Sequence, residues 1–251
     1  MQAVILVGGE GTRLRPLTST VPKPVVPLVD RPMMVYMLEW LRGHGIDDVI
    51  MSCGFKATKV REVLGDGSQL GISLRFVEEP DPRGTAGALK FAEEHLDGRF
   101  LMLNGDVLTD IDLTAQIRRH EETGATATLA LVPVPDPSSY GLVRLRADGA
   151  VDEFLEKPSP DAVLDTNLIS AGAYVLEHAV LDLIEPDRNV SIEREVWPVI
   201  VDRGLHGFVD DAAYWIDVGT PERYLQATFD ILDGNVRTGV AERLGDGLLA
   251  V

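Results

Sequence analysis

The chain has 251 residues, 45% hydrophobic and 25% charged, a size and balance that suit one large soluble α/β domain with a sizeable core. Its 40 acidic residues against 23 basic ones leave a net charge of −17, which excludes nucleic acid as the partner, because a duplex binder needs a basic face. No apolar run is long enough to span a membrane, no leader pattern precedes the first strand, and the lone Cys53 has no disulfide partner in the chain, so a cytoplasmic protein with no membrane partner is expected.

In chain order, Ala3-Val4-Ile5-Leu6-Val7 is too short for a helix and too continuous for an exposed strand, so it reads as a buried parallel strand. A glycine-rich loop leaves it, Gly8-Gly9-Glu10-Gly11-Thr12-Arg13, followed by Pro22-Lys23-Pro24. Its glycines let backbone N–H groups turn toward a ligand, and Arg13 and Lys23 add charge, which suits a polyphosphate. It is not a Walker A loop, since the chain contains no Lys-Ser or Lys-Thr pair. Nor is it the dinucleotide fingerprint, because Leu14 stands at the third glycine and Pro16, Pro22, Pro24 and Pro27 forbid the helix.

A helix is predicted over residues 31–44, with Asp30 as N-cap, Pro32 in the first turn and Gly43 and Gly45 at its end. Strands at 47–52, 72–77, 99–103 and 125–132 alternate with helices at 56–64, 85–95 and 113–123. That alternation predicts a Rossmann-like, mostly parallel mixed sheet flanked by helices. The second half adds antiparallel strands: a hairpin of 141–145 and 150–155 around Asp148-Gly149, then a strand at 169–176. A helix at 191–202 opened by Ser191, a strand at 205–209 and a helix at 221–232 capped by Thr220 follow, and residues 233–251 read as a tail or linker stub.

In open α/β sheets ligands gather beyond the carboxyl ends of strands. Phe100-Leu101-Met102-Leu103 runs into Asn104-Gly105-Asp106, so Asp106 is either a Mg²⁺ ligand or part of an Asx-turn. A second carboxylate comes from Trp215-Ile216-Asp217-Val218-Gly219, where Asp217 is a metal ligand or a loop residue before the helix cap. Glu156-Lys157-Pro158 follows a strand; it is a solvated pair or the carboxylate and cation that a sugar phosphate needs, with Asn167 and Gly172 completing that pocket.

Nine blocks resemble, in order, those of the sugar-1-phosphate nucleotidyltransferases: the run from Gly8 to Thr18, Pro22-Lys23-Pro24, Gly84-Thr85-Ala86-Gly87, Asn104-Gly105-Asp106, Tyr140-Gly141, Glu156-Lys157-Pro158, Ser170-Ala171-Gly172-Ala173-Tyr174, Ser191-Ile192-Glu193-Arg194-Glu195 and the run from Trp215 to Tyr224. The resemblance covers residues 1–232 and implies a nucleotide-binding half, 1–132, and a sugar-phosphate-binding half, 133–232. It implies a triphosphate held by Arg13 and Lys23, Mg²⁺ held by Asp106 and Asp217, and these four as the catalytic groups. Leu6, Gly8, Gly9, Gly11, Thr12, Glu79, Pro80, Gly84 and Thr85 would complete the nucleotide site, and Gly141, Glu156, Lys157, Asn167 and Gly172 the sugar-phosphate site.

For the base, Glu79 precedes Pro80 where the base edge is expected; an acceptor-only carboxylate suits the N1–H and N2–H₂ donors of guanine unless it points to solvent. The runs Gly11 to Thr18 and Trp215 to Tyr224 are most similar to the mannose-1-phosphate guanylyltransferase branch, which favours GTP and mannose-1-phosphate. Glucose-1-phosphate thymidylyl- or uridylyltransfer stands behind it, and a non-catalytic nucleotide-sugar-binding subunit is the reading from another class. Many guanylyltransferases of this type continue into a left-handed β-helix, which this sequence does not show, and whether copies associate into a homo-oligomer is left open.

Overall fold

Nine strands form one sheet in which the run that opens the chain is central; the computed structural model describes residues 1–54, 56–159 and 165–245. The chain runs through β1 (Gln2–Val7), β2 (Pro27–Leu28), β3 (Arg31–Pro32), α1 (Met33–Gly43), β4 (Asp48–Cys53), α2 (Ala57–Leu64) and β5 (Ser73–Glu78). Next come α3 (Gly84–Phe91), β6 (Phe100–Asn104), β7 (Val107–Thr109), α4 (Leu113–Thr123) and β8 (Ala127–Pro133). The second half holds β9 (Gly141–Leu145), β10 (Val151–Glu156), β11 (Leu168–Leu176), α5 (Trp197–Ile200), β12 (Leu205–Val209), β13 (Trp215–Asp217), α6 (Pro221–Leu232) and α7 (Val240–Leu244).

Strands β5, β4, β1 and β6 are parallel neighbours, as the alternation predicts. β11 then pairs antiparallel with β6 on one side and β8 on the other, while its residue Ile169 bridges to Leu142 of the β9–β10 hairpin. β12 closes the far edge parallel to β8. Among the described residues no helix is long and apolar enough to cross a membrane.

The register of β1 shows why its sequence is continuously apolar. Ala3, Ile5 and Val7 join the core layer of Leu38 and Leu41 from α1, whereas Val4 joins the opposite layer with Leu89 of α3 and Trp197 of α5. From Ala3 to Val7 the strand is covered on both faces, which favours an unbroken apolar run over an alternating one. Cys53 ends β4 in the first layer, and burial pushes its thiol up to about 12, so it packs as an inert apolar group.

Three local expectations are corrected. Asp30 does not cap α1: residues 31–32 pair with 27–28 instead, and the helix begins only after the extended Pro32. The Asp30 carboxylate accepts from Tyr36 Oη at 2.7 Å and from Arg243 Nε at 2.8 Å. Burial works against its ionisation, but the bonds from Arg243 and Tyr36 prevail and draw its pKa down to about 2. Second, the predicted helix at 85–95 stops at Phe91 and gives way to a tight turn at Glu93–His95. Third, the predicted helix at 191–202 opens as a π-turn, Ile192–Val196, before α5; Pro198 has no N–H to offer the carbonyl of Arg194. Beyond Gly234 the chain packs back on the domain through α7, and residues 246–251 of the expected tail lie outside the described residues.

Residues 187–190 form a strap across the start of α3. Arg83 Nη1 pairs with Asp187 at 2.7 Å, Asn189 Nδ2 donates to the Pro82 carbonyl at 3.0 Å, and Ala86 N donates to the Val190 carbonyl at 2.9 Å. Contact is so close that a Cβ on Gly87 would stand 2.4 Å from the Arg188 carbonyl oxygen. Gly87→Ala is therefore expected to cost about 1–3 kcal/mol by forcing strap and helix apart. Calorimetry should show a Tm lower by roughly 3–10 °C, and an unchanged Tm would contradict this packing.

Candidate active site

The glycine-rich loop leaves β1 with Gly11 in the left-handed region, φ 63°, and makes a single tight turn at Thr12–Leu14. Thr18 Oγ1 donates to the Gly11 carbonyl at 2.7 Å and closes the loop on itself. Lys23 packs its stem against Gly11, where an added Cβ would meet Lys23 Cβ at 3.2 Å. Its ammonium donates to Asp106 Oδ2 at 2.9 Å, with the lysine side chain only 11% exposed. Asp106 reaches this position because Asn104-Gly105-Asp106 crosses the end of β1: Gly105 N donates to the Leu6 carbonyl at 3.0 Å, and a Cβ there would stand 2.8 Å from that oxygen.

A cavity of about 800 Å³ opens over this crossing. All ten residues expected to hold the nucleotide line it, from Leu6 and the loop glycines to Glu79, Pro80, Gly84 and Thr85, together with Lys23 and Asp106. Glu79 faces this cavity and is held in place: Ser52 Oγ donates to its Oε1 at 2.9 Å and the Arg83 backbone N–H to its Oε2 at 3.3 Å.

A second cavity of about 190 Å³ adjoins it, and Arg13, Asn104 and Asp106 belong to both linings. Gly141, Glu156, Lys157, Gly172 and Asp217 line this smaller one. Gly172 sits at φ 75° where the β11 register shifts, and a Cβ on it would meet Asn104 Nδ2 at 2.8 Å. Asp217 accepts from Tyr140 Oη at 3.0 Å and is ion-paired with Arg223, whose guanidinium lies 5.4 Å from the Tyr140 ring centre. Trp215 packs edge-on against Tyr140 at 5.2 Å and donates Nε1–H to the Ala171 carbonyl at 2.8 Å.

Asn167 is the expected site residue that lines neither cavity; it precedes β11, and its carbonyl accepts from Val134 N at 3.0 Å. Conversely, sequence reasoning assigned no role to Tyr140, Glu193 or Arg223. All three stand inside quoted blocks, which was the available signal, though Arg223 in the first turn of α6 also has the look of an ordinary helix surface residue. Glu193 accepts from Thr85 Oγ1 at 2.8 Å and from Ser191 Oγ at 2.7 Å, so it ties the rim of the larger cavity to the wall of the smaller. Burial raises the Glu156 carboxyl above its ordinary pKa, the charge of Glu193 adds to this, and Lys157 and Arg194 partly offset it.

Asp106 and Asp217 come together because β7 and β13 pair as a separate antiparallel ribbon, with Asp217 opposite Val107 and Val218 N donating to the Asp106 carbonyl at 2.8 Å. Among the described residues no group of three His, Cys, Asp or Glu side chains could cage a metal. Two carboxylates beside an open cleft fit Mg²⁺ nonetheless, since that ion takes one or two carboxylates and fills its remaining positions with water and substrate phosphates.

A glycine loop with two cations at the carboxyl ends of parallel strands, joined through a shared carboxylate to a small polar pocket, is the layout of an open α/β protein whose cleft lies beyond its strand ends. The chain belongs to the nucleotidyl transferase family, whose sequence profile matches residues 2–234. It is 39% identical over 238 residues to mannose-1-phosphate guanylyltransferase of Mycobacterium tuberculosis, covering 93% of this chain and 65% of that protein. It is 34% identical over 252 residues to UTP–glucose-1-phosphate uridylyltransferase of Synechocystis, covering 94% of this chain and again 65% of the relative. The chain thus spans just under two thirds of the length of these relatives. Among solved structures, HddC from Yersinia pseudotuberculosis complexed with GMP-PN superposes with a TM-score of 0.76 at 28% identity, over 92% of this chain and 99% of that one.

The raised pKa of Glu156 has a stability consequence. A carboxyl whose folded pKa exceeds its unfolded one favours folding fully below the unfolded value, about 4.3, and that contribution is lost as pH rises through the folded value. At neutral pH Glu156 is thus a liability that Glu156→Gln removes. The variant should melt higher than the parent at neutral pH, and the difference should shrink or reverse in acid; equal shifts at both would contradict the burial of this charge.

Proposed function

We propose that the chain transfers a guanylyl group from GTP to mannose-1-phosphate, giving GDP-mannose and pyrophosphate. One observation carries this reading: Arg13 and Asp106 belong to both cavities, so a cation and a carboxylate stand where a triphosphate and a sugar phosphate would meet. The names of the guanylyltransferase relatives, and the guanine nucleotide analogue bound to the Yersinia protein, support the choice of base. The nucleotide would lie against residues 1–132 and the sugar phosphate against 133–232, and a cytoplasmic location accords with the single buried thiol.

The loop N–H groups, Arg13 and Lys23 hold the triphosphate; Lys23 spends one donor on Asp106 and keeps two for phosphate. Lys157 takes the sugar phosphate, and Glu156 accepts from sugar hydroxyls. An oxygen of the sugar phosphate attacks the α-phosphorus in line, the bond from that phosphorus to the bridging β-phosphate oxygen breaks, and pyrophosphate departs. The attacking oxygen is already ionised at neutral pH, so the side chains serve alignment and charge neutralisation and none acts as nucleophile. Mg²⁺ at Asp106 and Asp217 would neutralise charge on the phosphates. Glu79, held by Ser52 and the Arg83 N–H, presents acceptors to the guanine N1–H and N2–H₂.

Pyrophosphate release measured with GTP, dTTP and UTP, each against mannose- and glucose-1-phosphate, tests this. GTP with mannose-1-phosphate should give the highest kcat/KM. Preference for UTP or dTTP with glucose-1-phosphate would replace the substrates, and tight nucleotide-sugar binding without release under any triphosphate would leave a binding protein. Glu79→Gln should lower kcat/KM for GTP by roughly ten- to a hundredfold, the loss of one hydrogen bond to a charged group, with less effect on UTP and dTTP; equal losses would remove the role of Glu79. Asp106→Ala should reduce turnover by on the order of a thousandfold with the fold retained, and near-normal turnover would mean the metal site lies elsewhere.

A further inference from the structure

The segment after Gly234 lies beyond the matched family region, yet it packs against the β7–β13 ribbon that carries Asp106 and Asp217. That ribbon is outside the nine-strand sheet. Two strands alone are marginally stable, so its geometry depends on what packs around it.

The carboxylates stand at one end of the ribbon. At the other end Asp110 and Tyr214 face each other: Tyr214 N donates to Asp110 Oδ1 at 2.8 Å, and Thr109 Oγ1 donates to the Tyr214 carbonyl at 2.7 Å. Arg237 closes this end. Its backbone N–H and its Nε–H both donate to Asp110 Oδ2 at 3.1 Å, and Nη2 donates to the Asp110 carbonyl at 2.9 Å. Val236 and Val240, flanking Arg237, are buried in one cluster with Leu108 of β7 and Val218 beside Asp217. Leu28, which follows the Lys23 turn, belongs to that cluster too. Arg243 fixes the far side of the segment through Asp30 and Glu39.

We infer that residues 235–245 form a buttress that holds the β7–β13 ribbon in the register that keeps Asp106 and Asp217 together, with Arg237 as a positioning residue for the metal site. The inference rests on the reading of those two carboxylates as metal ligands. Arg237 touches neither of them and acts through Asp110 on the strand that begins one residue after Asp106. Its side chain is 76% exposed and that of Asp110 10%; without the guanidinium the Asp110 carboxylate keeps its bonds from Tyr214 N and from the backbone N–H of residue 237, so the fold is expected to persist.

Mn²⁺ titration of the full chain by electron paramagnetic resonance, without substrates, tests this with Arg237→Met. Mn²⁺ should bind about tenfold more weakly, the usual effect of removing a group that orients ligands from outside the coordination sphere. Tm and metal-free nucleotide binding should stay near those of the parent, and Arg237→Lys should recover part of the loss. Parental Mn²⁺ affinity in Arg237→Met would overturn the inference, and so would a loss that only tracks a fall in Tm and in nucleotide binding. A parent chain that binds no Mn²⁺ would instead sink the metal reading of Asp106 and Asp217, and the buttress with it.

Discussion

The contact between Lys23 and Asp106 is the constraint around which the cleft is arranged. It joins the loop after β1 to the turn after β6, two neighbouring parallel strands, and so ties together the carboxyl ends where ligands of open α/β sheets collect. In a chain of net charge −17 a triphosphate would meet a repulsive field unless cations were concentrated at one place. Lys23 is held there by the burial of its stem and by the Asp106 carboxylate, which orients its ammonium. Gly105 makes the arrangement possible, because any side chain at that crossing would collide with the end of β1. Asp217 shows a similar arrangement with Arg223, so both Asp106 and Asp217 have a protein cation against them.

Where burial on two faces or a local cap decides the conformation, the sequence was a sound guide. α4 and α6 occupy the predicted residues, with Asp112 accepting from Ala115 N and Thr220 from Arg223 N at their starts. β1, β4, β5 and β6 fall within a residue of their predicted bounds, since continuous apolar runs leave little choice. Reading failed where a distant residue decides. Asp30 has the chemistry of a helix cap, but its carboxylate is claimed by Arg243, 213 positions away. β7 is three residues long and exists only because β13 comes to pair with it. The segment after Gly234 looks like a linker by composition and is packed because a cleft between β7, α1 and α6 accepts Val236 and Val240.

The candidate site divides in the same way. Glycines and charges adjacent to a strand end, such as Gly11, Lys23 and Asp106, were readable because loop chemistry and strand position coincide. Glu79 was readable as an acceptor facing the cleft, though not the Ser52 and Arg83 contacts that hold it. Tyr140 and Glu193 were marked only by the blocks around them, because what they do depends on Asp217 and Thr85, which are 77 and 108 residues from them. Asn167 looked suited to a sugar by its amide alone, and its place before β11 puts it outside both cavities.

β11 bears on how the molecule can move. One strand is hydrogen-bonded to β6 of the first half and to β8 and β9, so the two cavities share a continuous sheet with no linker between them. Opening a hinge there would break a ladder of backbone bonds in the core. The walls of the two cavities are therefore coupled through a single strand, and a displacement of β6 against β8 or β9 would be carried by β11.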